Sequence, residues 1–127
     1  MERYIKLLGA LLCAVCTRIF GGFDAVFTAL LTFMAVDYIT GVIAAAYNAE
    51  LSSCAGYRGI LKKLGILAAV AVAHVMGQIL AIDTLRSLVI GFYLANEGLS
   101  IVENIGKTGV PLPKRLTDVL KQISSDE

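Results

Sequence analysis

The sequence predicts an all-α integral membrane protein with four, alternatively three, transmembrane helices and a short cytoplasmic C-terminal helix. Three observations carry this. Residues 64–82 read L-G-I-L-A-A-V-A-V-A-H-V-M-G-Q-I-L-A-I, without a formal charge, between Lys62-Lys63 and Asp83. A helix needs about 20 mostly apolar residues to cross a ~30 Å hydrocarbon core, and a helix apolar all round for that length is rarely the surface helix of a soluble domain. Hydrophobic residues make up 57% of the 127-residue chain and charged ones 17%, so a soluble globule of this composition would expose apolar patches and aggregate. No strand alternation, internal repeat or low-complexity segment appears along the chain.

The whole chain, 1–127, reads as a single membrane domain with helices at about 4–22, 24–47, 60–82 and 85–105 and a cytoplasmic tail at 106–127. Residues 1–22 resemble a signal peptide in outline, but another hydrophobic segment follows, so the expectation is that they are retained. Their apolar run, Leu7–Thr17, is short for a crossing. Lys6 and Arg18 can snorkel to opposite interfaces, with Tyr4 and Phe20 as anchors, which gives a spanning helix; an interfacial amphipathic helix is the alternative. Gly21-Gly22 marks a turn. Asp24 is placed to cap the second helix, and Ala25–Tyr47 is apolar apart from threonines and Asp37.

Residues 48–59 are polar and glycine-containing and read as a loop, with Ser52 or Ser53 capping the next helix or a lead-in to it. Asp83-Thr84 makes a tight turn. Gly106-Lys-Thr-Gly-Val-Pro-Leu-Pro ends the last span through glycine and proline chemistry. Lys114–Ile123 is expected to be a short helix of mixed charge and Ser124–Glu127 a frayed tail. The basic residues Arg58, Lys62 and Lys63 precede the third span, and Lys107, Lys114, Arg115 and Lys121 follow the fourth. A two-span hairpin separates these groups, so both are expected on the same, cytoplasmic side, with the Asp83–Arg86 turn outside.

Ionisable groups within a span cost about 2.5–3.5 kcal/mol each at the bilayer centre on insertion scales, so they mark candidate sites. Asp37, Gly41 and Ala45 share one face of the second span, with Thr40 beside them. The ridge serves equally as an intramolecular packing seam or as a contact facing another subunit or a lumen. His74 and Gln78 lie one turn apart on the third span, and Lys63 projects from nearly the same face. The sharper reading is a polar line facing water or Asp37; for His74 alone, interhelical hydrogen bonding is the plainer one. On the fourth span Asn96, Glu97, Ser100, Glu103, Asn104 and Lys107 fall within about a 120° arc at 100° per residue, away from Leu94, Ile101, Val102 and Ile105. Emergence of the helix into water accounts for Glu103 to Lys107. Asn96 and Glu97 lie two turns deeper and imply an aqueous surface or a polar helix seam.

No catalytic constellation is expected, and no cofactor or metal site. Cys13-Ala-Val-Cys16 has a redox-motif spacing but sits in an apolar run, the odd count of three cysteines with Cys54 suggests no disulfide framework, and a zinc site would lack further ligands. G-K-T-G does not match a P-loop. A net charge of +1 gives no argument for nucleic acid as a partner.

F-M-A-V-D-Y-I-T-G (33–41), L-S-S-C-A-G-Y-R-G-I-L-K-K (51–63) and F-Y-L-A-N-E-G-L-S-I-V-E-N-I-G-K-T-G-V-P-L-P-K-R-L (92–116) resemble, in order and spacing, the toxin-secretion/phage-lysis holin family. N-E-G-L-S-I-x-E-N followed by G-V-P-x-P is the most specific part, and residues 1–32 carry little of it. The resemblance implies a protein that accumulates in the bacterial cytoplasmic membrane, oligomerises with copies of itself among the lipids, and opens lesions that release an endolysin or a toxin, with an antiholin as a further partner. The residues leave two other functions open. One is a small proton-coupled transporter using Glu97 or Asp37; the other is an accessory subunit with no activity alone.

Overall fold

In the computed structural model, which describes residues 1–125, the chain forms five helices: α1 (Glu2–Phe20), α2 (Ala25–Tyr47), α3 (Ser53–Leu80), α4 (Leu85–Gly106) and α5 (Lys114–Ser125). Among the described residues there is no strand. By length and composition α2, α3 and α4 are long and apolar enough to cross a membrane; α1 falls short of that composition.

The helix ends follow local chemistry. The Asp24 carboxylate accepts from the Phe27 amide at 3.0 Å, so the expected cap opens α2. Ser52 accepts from the Ala55 amide and opens α3 at Ser53. The stretch read from the sequence as a polar loop up to Gly59 is therefore mostly helix, and lead-in and span form one 28-residue rod. At ~1.5 Å per residue it is about 42 Å long, more than a hydrocarbon core needs, so its first turns, with Arg58, extend beyond such a core. Gly21 ends α1 with φ +85° and its N–H on the Thr17 carbonyl. Ala81 ends α3 in the left-handed region at φ 55°. The α3–α4 turn folds back tightly: the Ile82 amide donates to the Gly77 carbonyl at 2.9 Å, and a Cβ at Gly77 would lie 2.9 Å from the Ile82 carbonyl oxygen. Ser124 and Ser125, expected in a frayed tail, belong to α5; Asp126 and Glu127 of that tail lie outside the described residues.

α2 and α4 form the most extensive helix pair, with α3 packed mainly on α4. Phe27, Leu30 and Met34 of α2, Ile66 and Val70 of α3 and Ile90 of α4 make the buried core. All six lie toward the end where α1 joins α2 and α3 joins α4. The outward faces carry Ile39, Ile43, Leu64, Val72, Ile79 and Leu88, each at least 40% exposed, an apolar belt suited to acyl chains rather than water. No residue of α1 is buried. It touches the bundle through α3 and through Phe20, whose ring stacks on Phe27 with centroids 5.3 Å apart.

Asn48 Nδ2 reaches the Lys107 carbonyl at 3.5 Å, so the α2–α3 connection and the end of α4 meet. The basic segments at 58–63 and 107–121 thus start from the same end of the bundle, as the charge pattern predicts.

Candidate functional site: an ion triad between three apolar helices

Asp37 and Glu97 lie near the midpoints of α2 and α4, and Lys63 of α3 stands between them. Its Nζ is 2.7 Å from Asp37 Oδ2 and 2.6 Å from Glu97 Oε2. The side chains are 15%, 14% and 5% exposed respectively for Lys63, Asp37 and Glu97, so the three charges are largely removed from solvent and each depends on the others for compensation. Asn104, two turns past Glu97 on α4, completes the group. Its amide nitrogen is 3.0 Å from Asp37 Oδ1 and 3.1 Å from both the Asp37 carbonyl and Thr40 Oγ1. Two amide protons are shared among three acceptors, and Asp37 is tied to both neighbouring helices. The Thr40 hydroxyl itself donates to the Val36 carbonyl at 2.8 Å. Among the described residues every buried side-chain nitrogen or oxygen has a partner, as a polar group shielded from water requires.

Small residues make this approach possible. A Cβ at Gly41 would lie 3.5 Å from Asn104 Nδ2, and Cβ atoms at Gly56 and Gly59 would meet Tyr38, at 3.2 Å for the hydroxyl and 3.7 Å for the ring. Within the chain, Asp37 and Gly41 of the ridge meet Asn104 of α4, whereas Ala45 borders a cleft toward α3. Beyond the triad, toward the basic end, Gly41, Ala45, Ala55, Gly56 and Gly59 leave an open cleft of about 310 Å³ that also reaches Lys62, Lys63, Asp37 and Ser100. The packed core fills one half of the bundle, the triad sits at its middle, and the cleft occupies the other half.

The expected polar residues separate accordingly. Asp37, Thr40, Glu97 and Asn104 come together, and Gly41 and Ser100 line the cleft beside them. Glu103 is exposed and Asn96 half-buried. Val102, expected on the face turned away, is buried, because the α4 surface that packs inward runs from Glu97 through Gly98 to Val102, with Glu97 and Asn104 at its edge. Of the line expected on the third span only Lys63 meets Asp37. His74 lies about 16 Å further along α3 at ~1.5 Å per residue, against Gly21 and Arg86, and Gln78 is exposed.

Arg86 forms a second polar cluster that the sequence reading left as an outer-turn charge. Its guanidinium lies 2.7 Å from Asp24 Oδ2 and 3.2 Å from Oδ1, donates to the carbonyls of Phe20 and Gly22, and sits 5.7 Å over the Phe27 ring. A Cβ at Gly21 would strike Arg86 and His74. One α4 side chain thus pins the end of α1 and the start of α2. The paired guanidinium holds the Asp24 carboxyl below its ordinary value of 3.8.

The family profile described as the bacteriophage holin family matches residues 14–125. The chain belongs to this family. It is 42% identical over 124 residues to an uncharacterised 14.9 kDa protein in the nagH 3′ region of Clostridium perfringens, covering 96% of this chain and 94% of that one. It is 44% identical over 108 residues to the uncharacterised Listeria innocua protein Lin0175, covering 84% of this chain and 77% of the relative. The uncharacterised Bacillus subtilis protein YqxH is 36% identical over 99 residues, covering 77% of this chain and 71% of its own. No solved structure matches the chain. Family and helices together make it a holin-like, multi-pass membrane protein, in a non-enzymatic family.

Removing one partner of a buried ion group leaves an uncompensated charge, at a cost of about 3–5 kcal/mol. Lys63→Met should therefore lower the stability of the detergent-solubilised protein by about that amount. The same change made together with Asp37→Asn and Glu97→Gln should cost much less. Equal losses in both backgrounds, read by thermal unfolding, would show that charge pairing does not hold the helices.

The Asp24–Arg86 pair carries a pH dependence of known sign. A carboxyl whose pKa is lowered on folding contributes stability that is complete above its unfolded value near 3.8 and is lost as pH falls through the lower folded value. Arg86→Gln should therefore melt below the parent at neutral pH, and the gap should narrow as acid drives Asp24 through that window. A gap constant down to the lowest pH would assign the role of Arg86 to its carbonyl contacts alone.

Proposed function

We propose that this chain is a holin that assembles with copies of itself in the cytoplasmic membrane of a bacterium and opens lesions through which an endolysin or toxin leaves the cell. The observation that supports this most is the ion triad at the middle of three otherwise apolar helices. Closed within one chain, the triad satisfies its own charges, and the outward faces meet only lipid. Charged groups at this depth become far less costly when they face water. A parting of α3 from α2 and α4 would turn Lys63, Asp37 and Glu97 toward an aqueous lumen while neighbouring copies cover the exposed apolar flanks. Family membership supports the same reading. The released enzyme or toxin, and an antiholin that holds the chain in check, are the partners this reading implies.

In the orientation we propose, the basic end carrying Arg58, Lys62, Lys107 and α5 is cytoplasmic, following the positive-inside bias. α1 then forms a fourth crossing, with Lys6 and Arg18 at opposite interfaces.

The cleft gives a second reading some support. It leads from one end of the bundle to Asp37 and Lys63, the layout of a one-sided access path in a proton-coupled transporter using Asp37 or Glu97. A transporter would form a small fixed oligomer and leave the membrane energised at rest.

Induced expression in a bacterium should collapse the membrane potential and arrest growth, and a co-expressed endolysin lacking its own export route should then lyse the culture. Abundant inserted protein with an intact potential would overturn the holin reading.

For topology, single cysteines at Ser53 and Ser125, in a background without Cys13, Cys16 and Cys54, should both resist an impermeant thiol reagent added outside intact cells. A cysteine at Glu2 should resist it as well if α1 crosses and react if α1 lies along the outer interface, while one at Phe23, at the outer end of α2, should react. Phe23 suits this better than Gly22, whose φ of +110° an L side chain rarely adopts. External labelling of Ser53 or Ser125 would reverse the orientation.

A further inference from the structure

The basic end of the bundle carries α5, which packs on α4 and leaves Leu116 and Val119 about half exposed. α5 follows α4 after only the connection 107–113. A chain of that length spans at most about 25 Å when fully extended, and it is not extended here. The Thr108 amide donates to Ile105, the Gly109 amide to Gly106, and Gly109 turns the chain at φ +81°. The connection is also held beneath α2, because Asn48 reaches the Lys107 carbonyl and a Cβ at Gly109 would touch the Tyr47 hydroxyl at 4.0 Å. Pro111 and Pro113 prevent α4 from continuing, and the Leu116 amide caps back on Pro113. α5 is thus held against α4, close to the basic end of the bundle.

Its chemistry fits that place. Leu116 is 45% exposed and Val119 48%, and Val110 of the connection is 52% exposed. Lys114, Arg115 and Lys121 of the helix, with Lys107 before it and Arg58 exposed on α3 at the same end, are five cations against Asp118 and the acids Asp126 and Glu127 that follow in the sequence. A short helix with one apolar side and several cations lies in the plane of a membrane interface, burying the apolar side among the acyl-chain ends while its cations meet anionic headgroups. We propose that α5 docks on the anionic phospholipid surface of the bilayer that α2–α4 cross, by inserting Leu116 and Val119 and pairing its lysines and arginine with lipid phosphates. This surface requires no lesion and no particular sidedness of the bundle, so it stands apart from the holin reading.

The full-length protein, free of native cysteines, is reconstituted in vesicles of phosphatidylcholine alone or with phosphatidylglycerol at about a third of the lipid. An environment-sensitive dye is placed on a single cysteine at Leu116 or, on the opposite side of α5, at Asp118. With phosphatidylglycerol, the dye at Leu116 should shift to the blue and be quenched by lipids brominated on their acyl chains, while the dye at Asp118 stays in water. Without phosphatidylglycerol both should report water. Changing Lys114, Arg115 and Lys121 to glutamine should lower the docking equilibrium constant read at Leu116 by about fivefold per removed charge, and high salt should imitate the change. Equal quenching in both lipids would overturn the proposal, since charge would then play no part. So would a blue shift without quenching, because a second copy or another protein surface would be covering the helix.

Discussion

The structure depends on a single ammonium group. Lys63 is the one cation among the charges clustered at mid-depth, and it reaches a carboxylate on each of the two helices beside it, Asp37 on α2 and Glu97 on α4. In a surrounding of low dielectric none of the three charges can be left alone, because an unpaired one costs more than the packing of a helix pair returns. The requirement fixes the depth of α3 against its neighbours and brings Asn104 onto Asp37 to satisfy the oxygens that Lys63 does not use. It also explains the glycines nearby. Gly41 admits Asn104, and Gly56 and Gly59 admit Tyr38, so the backbones come close enough for the side chains to meet.

The two halves of the bundle on either side of the triad differ in kind. One is filled by Phe27, Leu30, Met34, Ile66, Val70 and Ile90 and closed at its end by Arg86, which ties α1, α2 and α4 together. The other is lined by small residues and stands open as a cleft. A bundle locked at one end and loosely packed at the other has a natural direction in which to open, away from the Arg86 clamp. Lipid-facing apolar side chains resist separation little, since acyl chains solvate them as well as neighbouring helices do. The charges, rather than the hydrophobic core, therefore set how firmly the closed unit holds.

Helix ends were the most legible part of the sequence wherever a cap has its own chemistry. Asp24 before α2 and the glycine and proline run after α4 act through local backbone bonds and appear where the residues place them. The start of α3 was less plain. Ser52 and Ser53 were equal candidates for the cap, the glycines and polar groups of 53–59 read as loop, and their packing against Tyr38 shows why they are helical. The same reading set Lys63 at the entrance of the third span, on a polar line that could face Asp37. In a helix that begins at Ser53 it lies well inside the rod, level with Asp37 and Glu97. Arg86 was missed because its partners, the Asp24 carboxylate and the carbonyls of Phe20 and Gly22, are distant in sequence and Asp24 is already accounted for as the cap of α2.

The sequence by itself determined the membrane as solvent, the helical class and the family, whereas its span count stayed open between four and three, and α2, α3 and α4 are the helices with the length and composition to cross. Solvent, class and family follow from composition, run length and motif order, which are properties of neighbouring residues. It also singled out Asp37, Glu97 and Asn104, because a polar group in an apolar run is conspicuous whatever it touches. Which of those groups meet, and through what, was decided by tertiary structure alone. A polar stripe on one helix reports an angle around that helix, whereas the pairing of Lys63 with two carboxylates depends on the rotation and depth of three helices at once. That choice is made by satisfying buried charge across the bundle, and no single span carries enough information to make it.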